Sequence, residues 1–387
     1  MNRGWAEFLD EKVKDASYRE LHRVQARRPG EVCYDGQWYW DFSTNDYMGL
    51  ASNVVLREQF FSSQNAGLGS TGSRLLSGNV ASYSQLEHRL EQLLDKPACL
   101  VFNSGYHANL GVMSTLFNQE DVVFVDKFAH ASIIDGMRLG TAQFYRYRHQ
   151  DYDHLRALLA KHRSRFRSAC IVTESLFSMD GDIVDFEPLY ALKTEYDCHL
   201  MIDEAHGFGG FGTKGLGVLE AKGVMDNVDI LVGTFGKSAG GVGAFVAGER
   251  DMVNVLIQAA RSFIYSTALP PMMVEWNLFA LNQLVKMQSE RQLFWQRIHH
   301  MCQLLDQADI PYGGHRSYII PILVGTNARA IDLANRLQAQ GFYARAIRYP
   351  TVPKGQSRVR LSLSAVHPQH VLEQLVRCVS EWFHDHD

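Results

Sequence analysis

The sequence predicts an α/β fold, with a mostly parallel central sheet in a large domain and a smaller C-terminal α/β domain. Two observations carry this expectation. Short apolar runs recur and end abruptly in polar clusters, as in "ACLVFNSGYH", "DVVFVDKFAHAS", "ACIVTESLFSMDGD", "HLMIDEAHG" and "DILVGTFGKS". Helix-like stretches lie between most of them, and strands apolar on both faces are those of a buried, doubly wound parallel sheet. After about residue 285 the pattern changes to "SYIIPILVG", "NARAIDLANRLQAQG", "FYARAI", "RVRLSLSA" and "HPQHVLEQLVRCVSEWF", which reads as a second α/β layer. Ligands of such sheets bind beyond the carboxyl ends of the strands, where the polar clusters gather.

Taken in order, residues 1–44 read as a helical arm and a hairpin. The Asp35-Gly36 pair is a turn signal between aromatic, strand-favouring residues. Residues 45–285 form the expected large domain. Early in it, "SQLEHRLEQLLDK" places Leu86, Leu90, Leu93 and Leu94 on one helical face behind a capping-type Ser84. Residues 286–387 form the expected small domain, and the border falls within the helical run "FALNQLVKMQSERQLFWQRIHHMCQLL". Gly341 closes the helix that precedes "FYARAI".

Composition narrows the function classes. The 387 residues are 46% hydrophobic and 21% charged, as in soluble globular proteins. A formal net charge of -4 gives no electrostatic reason to expect nucleic acid or an anionic membrane as partner. No apolar run is long enough to span a bilayer. The opening "MNRGWAEFLDEKVKD" has early acidic residues and no apolar core of a secretory signal. The six cysteines, Cys33, Cys99, Cys170, Cys198, Cys302 and Cys378, form no CxxC pair. Free thiols in a cytoplasmic protein are expected, with no metal site.

Two nucleotide motifs fail on inspection. "FGKS" resembles the tail of a P-loop, but the glycine required five positions earlier is Leu231. "DEAH", Asp203 to His206, resembles a helicase motif, yet it precedes the lysine where it should follow.

What remains is a set of groups at strand ends. Lys237 follows "DILVGTF" among glycines that permit close approach of a ligand. Asp203 ends "HLMI", His130 follows "DVVFVDKFA", and Ser104, Gly105 and Tyr106 occupy a strand-to-helix turn. Pyridoxal phosphate chemistry needs these groups: a Schiff-base lysine, a carboxylate for the pyridine nitrogen, a flat ring cover, and amides at a helix N-terminus for the phosphate. Singly, each has an ordinary explanation: a solvated lysine, a turn-capping aspartate, a packed histidine, a common turn. Together, at successive strand ends, they favour a shared site. In "RVRLSLS", Arg360 alternates with Val359 and Leu361, so it points off the apolar face, and its fork suits a carboxylate.

From "STNDYMGL" to "VRLSLSAVH" the chain resembles the α-oxoamine synthases, which are fold-type I pyridoxal phosphate transferases. The motifs are "NDYMGL", "GSTGSRLLSGN", "HASIIDG", "FSMDGD", "DEAHGFGGFG", "TFGKSAGG", "FIYSTALPP" and "RYPTVPKGQSRVRLSLSAVH". The resemblance implies pyridoxal 5'-phosphate held covalently by Lys237, with Asp203 on the pyridine nitrogen and His130 stacked on the ring. His206 would bond the ring hydroxyl, and Ser178 would lie beside the cofactor. Thr234 and the amides of Gly105 and Tyr106, next to Ser104, would hold the phosphate. Ser266 and Thr267 would reach the phosphate of the other subunit, which implies a homodimer with its active site at the interface.

Substrate roles are also implied. Asn45 and Arg360 would bind the amino acid carboxylate; Arg348 in "AIRYPTVP" is a candidate for the acyl chain's distal carboxylate, and Thr351 is a further substrate residue. His22, Arg23, Arg27 and Arg28 are further candidates for the distal end of the acyl chain. Glu204 would point away from the ring. "FIYSTALPP" and "AIRYPTVP" resemble the branch that condenses L-alanine with a pimeloyl thioester, on coenzyme A or acyl carrier protein, and releases CO2. In that reaction Lys237 would remove the alanine α-proton, and His130 is expected to polarise the thioester carbonyl as well as stack on the ring. The alternative branch uses glycine and acetyl-CoA. A non-catalytic partner subunit would lack Lys237.

Overall fold

The computed structural model describes residues 3–15, 17–63 and 66–386. In chain order the first strands are β1 (Val24–Arg28), β2 (Glu31–Tyr34) and β3 (Gln37–Asp41). Next come β4 (Ala98–Phe102), β5 (Asp121–Asp126), β6 (Gln143–Tyr147), β7 (Ser168–Glu174), β8 (His199–Asp203), β9 (Ile230–Thr234) and β10 (Ala244–Gly248). The last are β11 (Ile319–Gly325), β12 (Phe342–Tyr343), β13 (Ala346–Ile347) and β14 (Ser357–Ser362). Two compact units result: Val54–Phe177 with Ile183–Arg291, and Met1–Asn53 with Ser178–Asp182 and Gln292–Asp387.

The larger unit is built on a seven-stranded sheet in the order β4-β10-β9-β8-β7-β5-β6. Strands β9, β8, β7, β5 and β6 run parallel, and β10 is antiparallel to both its neighbours. This is the expected mostly parallel α/β architecture. Strands β4, β5, β8, β9 and β10 are buried almost throughout, which is why they read as continuous apolar runs. Helices Gly105–Thr115 and Ala131–Leu139 cover the sheet through Val112, Met113, Ile133 and Met137.

The early amphipathic helix spans Ala81–Leu94, so Ser84 lies inside it and is no cap; Val80 occupies the cap position without a side-chain bond. The helix needs no polar cap because Leu86, Leu90 and Leu94 are buried along one stripe and hold it by packing. Leu93 is only partly buried.

The smaller unit joins distant segments. Asp35 and Gly36 both have positive φ, +50° and +76°, as a tight hairpin turn between β2 and β3 requires. Strand β3 then pairs in parallel with β12, Phe342 opposite Trp40, so the N-terminal arm folds with the C-terminal residues. The N-terminal 53 residues therefore do not form a segment of their own. Pairing across such a sequence distance leaves no trace in local patterning.

A second sheet, β11-β14-β13, completes this unit. Ser178–Asp182 is anchored to it, because the Ser317 hydroxyl donates to the Gly181 carbonyl at 2.8 Å. Gly181 has φ +71°, and a Cβ there would lie 2.0 Å from the Ile319 carbonyl oxygen. Only glycine fits.

Candidate active site

In the larger unit the carboxyl ends of β4, β5, β7, β8 and β9 deliver the groups singled out from sequence. Ser104 follows β4 and caps the helix Gly105–Thr115, its hydroxyl accepting the His107 amide at 3.2 Å. The cap spends that amide and leaves those of Gly105 and Tyr106 without an intrahelical acceptor. A Cβ placed on Gly105 would meet nothing within 4 Å, so the space at this helix N-terminus is open. The Tyr106 hydroxyl donates to Asp135 at 2.6 Å.

After β5, Asp126 accepts the Phe128 amide at 2.8 Å and turns the chain into His130, which caps the helix Ala131–Leu139. His130 Nδ1 lies 2.7 Å from the Ser132 hydroxyl. Asp203, at the end of β8, is buried; its Oδ1 accepts the Ala205 amide and its Oδ2 the Asn109 side-chain amide, each at 2.8 Å. Lys237 is half-buried in the loop after β9, where its carbonyl accepts the Gly240 amide at 2.9 Å.

These groups feel one another electrostatically. The His130 imidazole is held below its ordinary pKa by loss of solvent on its packed side; the Lys237 charge adds to this and Asp203 opposes it. The ring is nonetheless accessible at the surface, as a cover for a flat ligand must be.

Glu174 belongs to the same cluster and was not anticipated from sequence. It ends β7 directly beside Asp203 in the ladder and is buried. Burial and then Asp203 push its carboxyl well above the usual range, against the pull of Lys237 and the His130 amide. A carboxylate closing the apolar run "ACIVTE" was the available signal.

Other expected cofactor residues have definite places. Thr234 ends β9, and its hydroxyl donates to the Gly243 carbonyl at 2.9 Å and accepts the Gly236 amide at 3.2 Å. His206 is buried in the loop after β8. Thr267 is exposed and Ser266 half-buried; the Ser266 hydroxyl turns back to the Ser262 carbonyl at 2.7 Å. Glu204 is fully buried, with Oε2 accepting the Ser175 hydroxyl at 2.6 Å and Oε1 the Leu219 amide at 2.7 Å. Burial pushes its carboxyl up to about 7.

In the smaller unit, Arg360 on β14 donates to Asn45 Oδ1 from both terminal nitrogens at 3.3 Å, to the Tyr47 hydroxyl at 3.2 Å and to the Ser178 carbonyl. The sequence placed Asn45, Ser178 and Arg360 far apart, and the fold brings them together. Arg358, two residues earlier, is buried and ion-paired with Asp180. Arg360 has only neutral partners among the described residues. Its charge is left for an anion.

The acyl-end candidates separate. Arg28 is ion-paired with Glu31 at 2.6 Å, and Arg27 lies exposed on β1 at 3.9 Å from Asp41. Arg23 has no side-chain partner among the described residues, whereas His22 and Arg348 line a cavity of ≈ 650 Å³ with Arg19 and Arg345. Arg348 donates to the Tyr18 carbonyl at 3.0 Å, and Arg19 to the Thr351 hydroxyl at 3.2 Å. Arg19 and Arg345 were missed, because only the fold converges the N-terminal arm and the 345–351 loop.

The larger unit's donor set suits pyridoxal phosphate: a lysine beside two buried carboxylates, an accessible imidazole, and an open helix N-terminus for the phosphate. Comparisons with known proteins agree. Residues 39–379 match the family "Aminotransferase class I and II". The 8-amino-7-oxononanoate synthase of Chlorobaculum parvum is 40% identical over 355 residues, covering 90% of each chain. A solved 8-amino-7-oxononanoate synthase from Francisella tularensis is 32% identical with a TM-score of 0.75, covering 89% of this chain and 98% of its own. A serine palmitoyltransferase variant from S. paucimobilis, solved with a bound PLP–myriocin adduct, is 26% identical with a TM-score of 0.89, covering 99% and 97%. The likeness runs through both units and through the strand ends that carry Lys237 and Asp203. The chain belongs to the class I and II aminotransferase family of fold-type I pyridoxal phosphate enzymes, as a member of its α-oxoamine synthases.

Proposed function

We propose that this α-oxoamine synthase joins L-alanine to a pimeloyl thioester, releasing CO2 and the free thiol and giving 8-amino-7-oxononanoate for biotin synthesis. The observation that carries the choice of acyl group is the cavity lined by Arg19, His22, Arg345 and Arg348. A pimeloyl chain ends in a second carboxylate, and guanidinium groups are its natural receptors. An acetyl or palmitoyl chain offers them nothing to bind. The 40% identity to a relative named for this reaction supports the same choice.

The reading assigns roles to the chain's own groups. Lys237 Nζ would hold the cofactor and serve as the base for the alanine α-proton. Asp203, held by the Ala205 amide and the Asn109 side chain, would pair with the pyridine nitrogen. Pyridoxal phosphate, when bound, withdraws the electrons left at the α-carbon. The Gly105 and Tyr106 amides would hold its phosphate, with Thr234 joining them by turning its hydroxyl from the Gly243 carbonyl, and His206 and Ser178 would orient it. Arg360, steadied by Asn45, takes the alanine carboxylate, and Arg348 with Thr351 directs the acyl end. One bond forms between the alanine α-carbon and the thioester carbonyl carbon; the α C–H, the thioester C–S and the α-carbon–carboxylate bonds break. The sulfur leaves as the thiol with a proton, the carboxylate leaves as CO2, and a proton returns to the α-carbon.

A homodimer completes the reading. Leu68, Leu75, Leu76 and Tyr265 are exposed in the larger unit, and residue 73 bridges to Thr267 among them. Exposed apolar groups of this size mark a surface that a partner covers. A second copy would bring Ser266 and Thr267 to the neighbouring phosphate.

The test is a substrate matrix on purified protein: alanine or glycine against pimeloyl, acetyl or palmitoyl thioester, with products identified by mass. 8-Amino-7-oxononanoate from alanine and pimeloyl thioester alone is expected, and running the pimeloyl group on coenzyme A and on acyl carrier protein identifies the carrier. Turnover with glycine and acetyl-CoA, and none with the expected pair, would reject the proposal.

A further inference from the structure

We infer that Asn109 and Ser132 lock His130 in the neutral tautomer protonated at Nε2, which makes the ring a hydrogen-bond donor in this site and not a base. The inference rests on the proposed function only in taking His130 as part of the active site. Asn109 and Ser132 are buried and act through Asp203 and His130, as positioning residues.

The proton directions follow from counting donors. Asp203 Oδ2 lies 2.8 Å from Asn109 Nδ2. Facing a carboxylate, Asn109 must present its NH2 group, because its carbonyl oxygen at that distance would repel. The same Nδ2 lies 3.0 Å from Ser132 Oγ and gives its second proton there. Ser132 has one hydroxyl proton and has already accepted a bond. Its remaining neighbour is His130 Nδ1 at 2.7 Å, so the hydroxyl donates to that nitrogen. The Ser132 backbone amide donates to it as well, at 3.3 Å.

Nδ1 thus receives two donors and carries no proton. The proton of the neutral ring sits on Nε2. Ser132 is fully buried and Asn109 2% exposed, so solvent does not compete for the Ser132 hydroxyl or the Asn109 amide. Asn109 Oδ1 is left buried without a partner among the described residues. An amide is retained here for its two N–H bonds despite that cost.

The consequence is chemical. From Nε2 the ring can donate to an oxygen that gains negative charge, such as a thioester carbonyl under attack. It cannot take a proton at that atom. Proton removal from the α-carbon falls to Lys237.

The test is long-range 1H–15N NMR of the full chain labelled with 15N-histidine, before and after adding pyridoxal 5'-phosphate. The His130 signals are assigned by their loss in His130→Gln. The expected result near neutral pH is an unprotonated Nδ1 and a protonated Nε2 in wild type, giving way to mixed tautomers in Ser132→Ala. A protonated Nδ1 in wild type, or an unchanged pattern in Ser132→Ala, would overturn the inference. The wild-type measurement stands even where a variant fails to fold. It also separates the two claims: an Nε2–H ring in a protein that makes no 8-amino-7-oxononanoate would reject the proposed reaction and leave the tautomer lock intact.

Discussion

Glu204 shows how far one buried side chain can govern the pH behaviour of the chain. Its carboxyl is raised from 4.5 to about 7 by burial. A carboxyl with a folded-state pKa above its unfolded value stabilises the protein at low pH, and that stability is lost as pH rises through the folded value. Between pH 4.5 and about 7 the contribution falls by roughly 3 kcal/mol. Glu204→Gln, which can still meet Ser175 and Leu219, is expected to flatten this slope in urea melts across the same window; an unchanged slope would mean Glu204 is ionised throughout.

Arg360 supports a kinetic prediction at the same scale. Arg360→Lys loses the fork and is expected to raise the KM for alanine by roughly tenfold or more, with little change for the thioester. Equal effects on both substrates would deny it a carboxylate-binding role. Lys237, Asp203 and His130 could be seen in the sequence because each ends an apolar run. Glu174 also ends an apolar run and carried the same signal, but it was missed because it matched no expected cofactor contact; Asn109 looked like any polar residue in a helix, since its meaning lies in a bond to a residue 94 positions away.

Among elements, the parallel strands were legible because they are apolar on both faces and stop sharply. Helix starts were less so. The helix Ala81–Leu94 begins before its serine, held by buried leucines where a cap was expected. The Ser178–Asp182 segment depends on Gly181, whose backbone and close approach to Ile319 exclude a side chain. Gly181→Ala is expected to cost about 1–3 kcal/mol in denaturant titrations. Because that segment also carries the Ser178 carbonyl that fixes Arg360, the same variant should raise the alanine KM. A stable variant with unchanged KM would break the link between this turn and the arginine.

For the whole molecule, the union of the N-terminal arm with the C-terminal residues is what builds the arginine-lined cavity, and local sequence patterns carry no information about it. The assembly is expected to be a dimer. Leu76→Asp, on the exposed apolar surface, should yield monomers in sedimentation and weaken cofactor retention. A variant that stays dimeric would put the interface elsewhere.

All of this depends on one covalent attachment, and reducing the purified protein with borohydride in the presence of pyridoxal 5'-phosphate, then mapping the modified peptide by mass spectrometry, tests it most directly. A phosphopyridoxyl group is expected on Lys237 and none in Lys237→Ala. A label on another lysine, or no label at all, would contradict it.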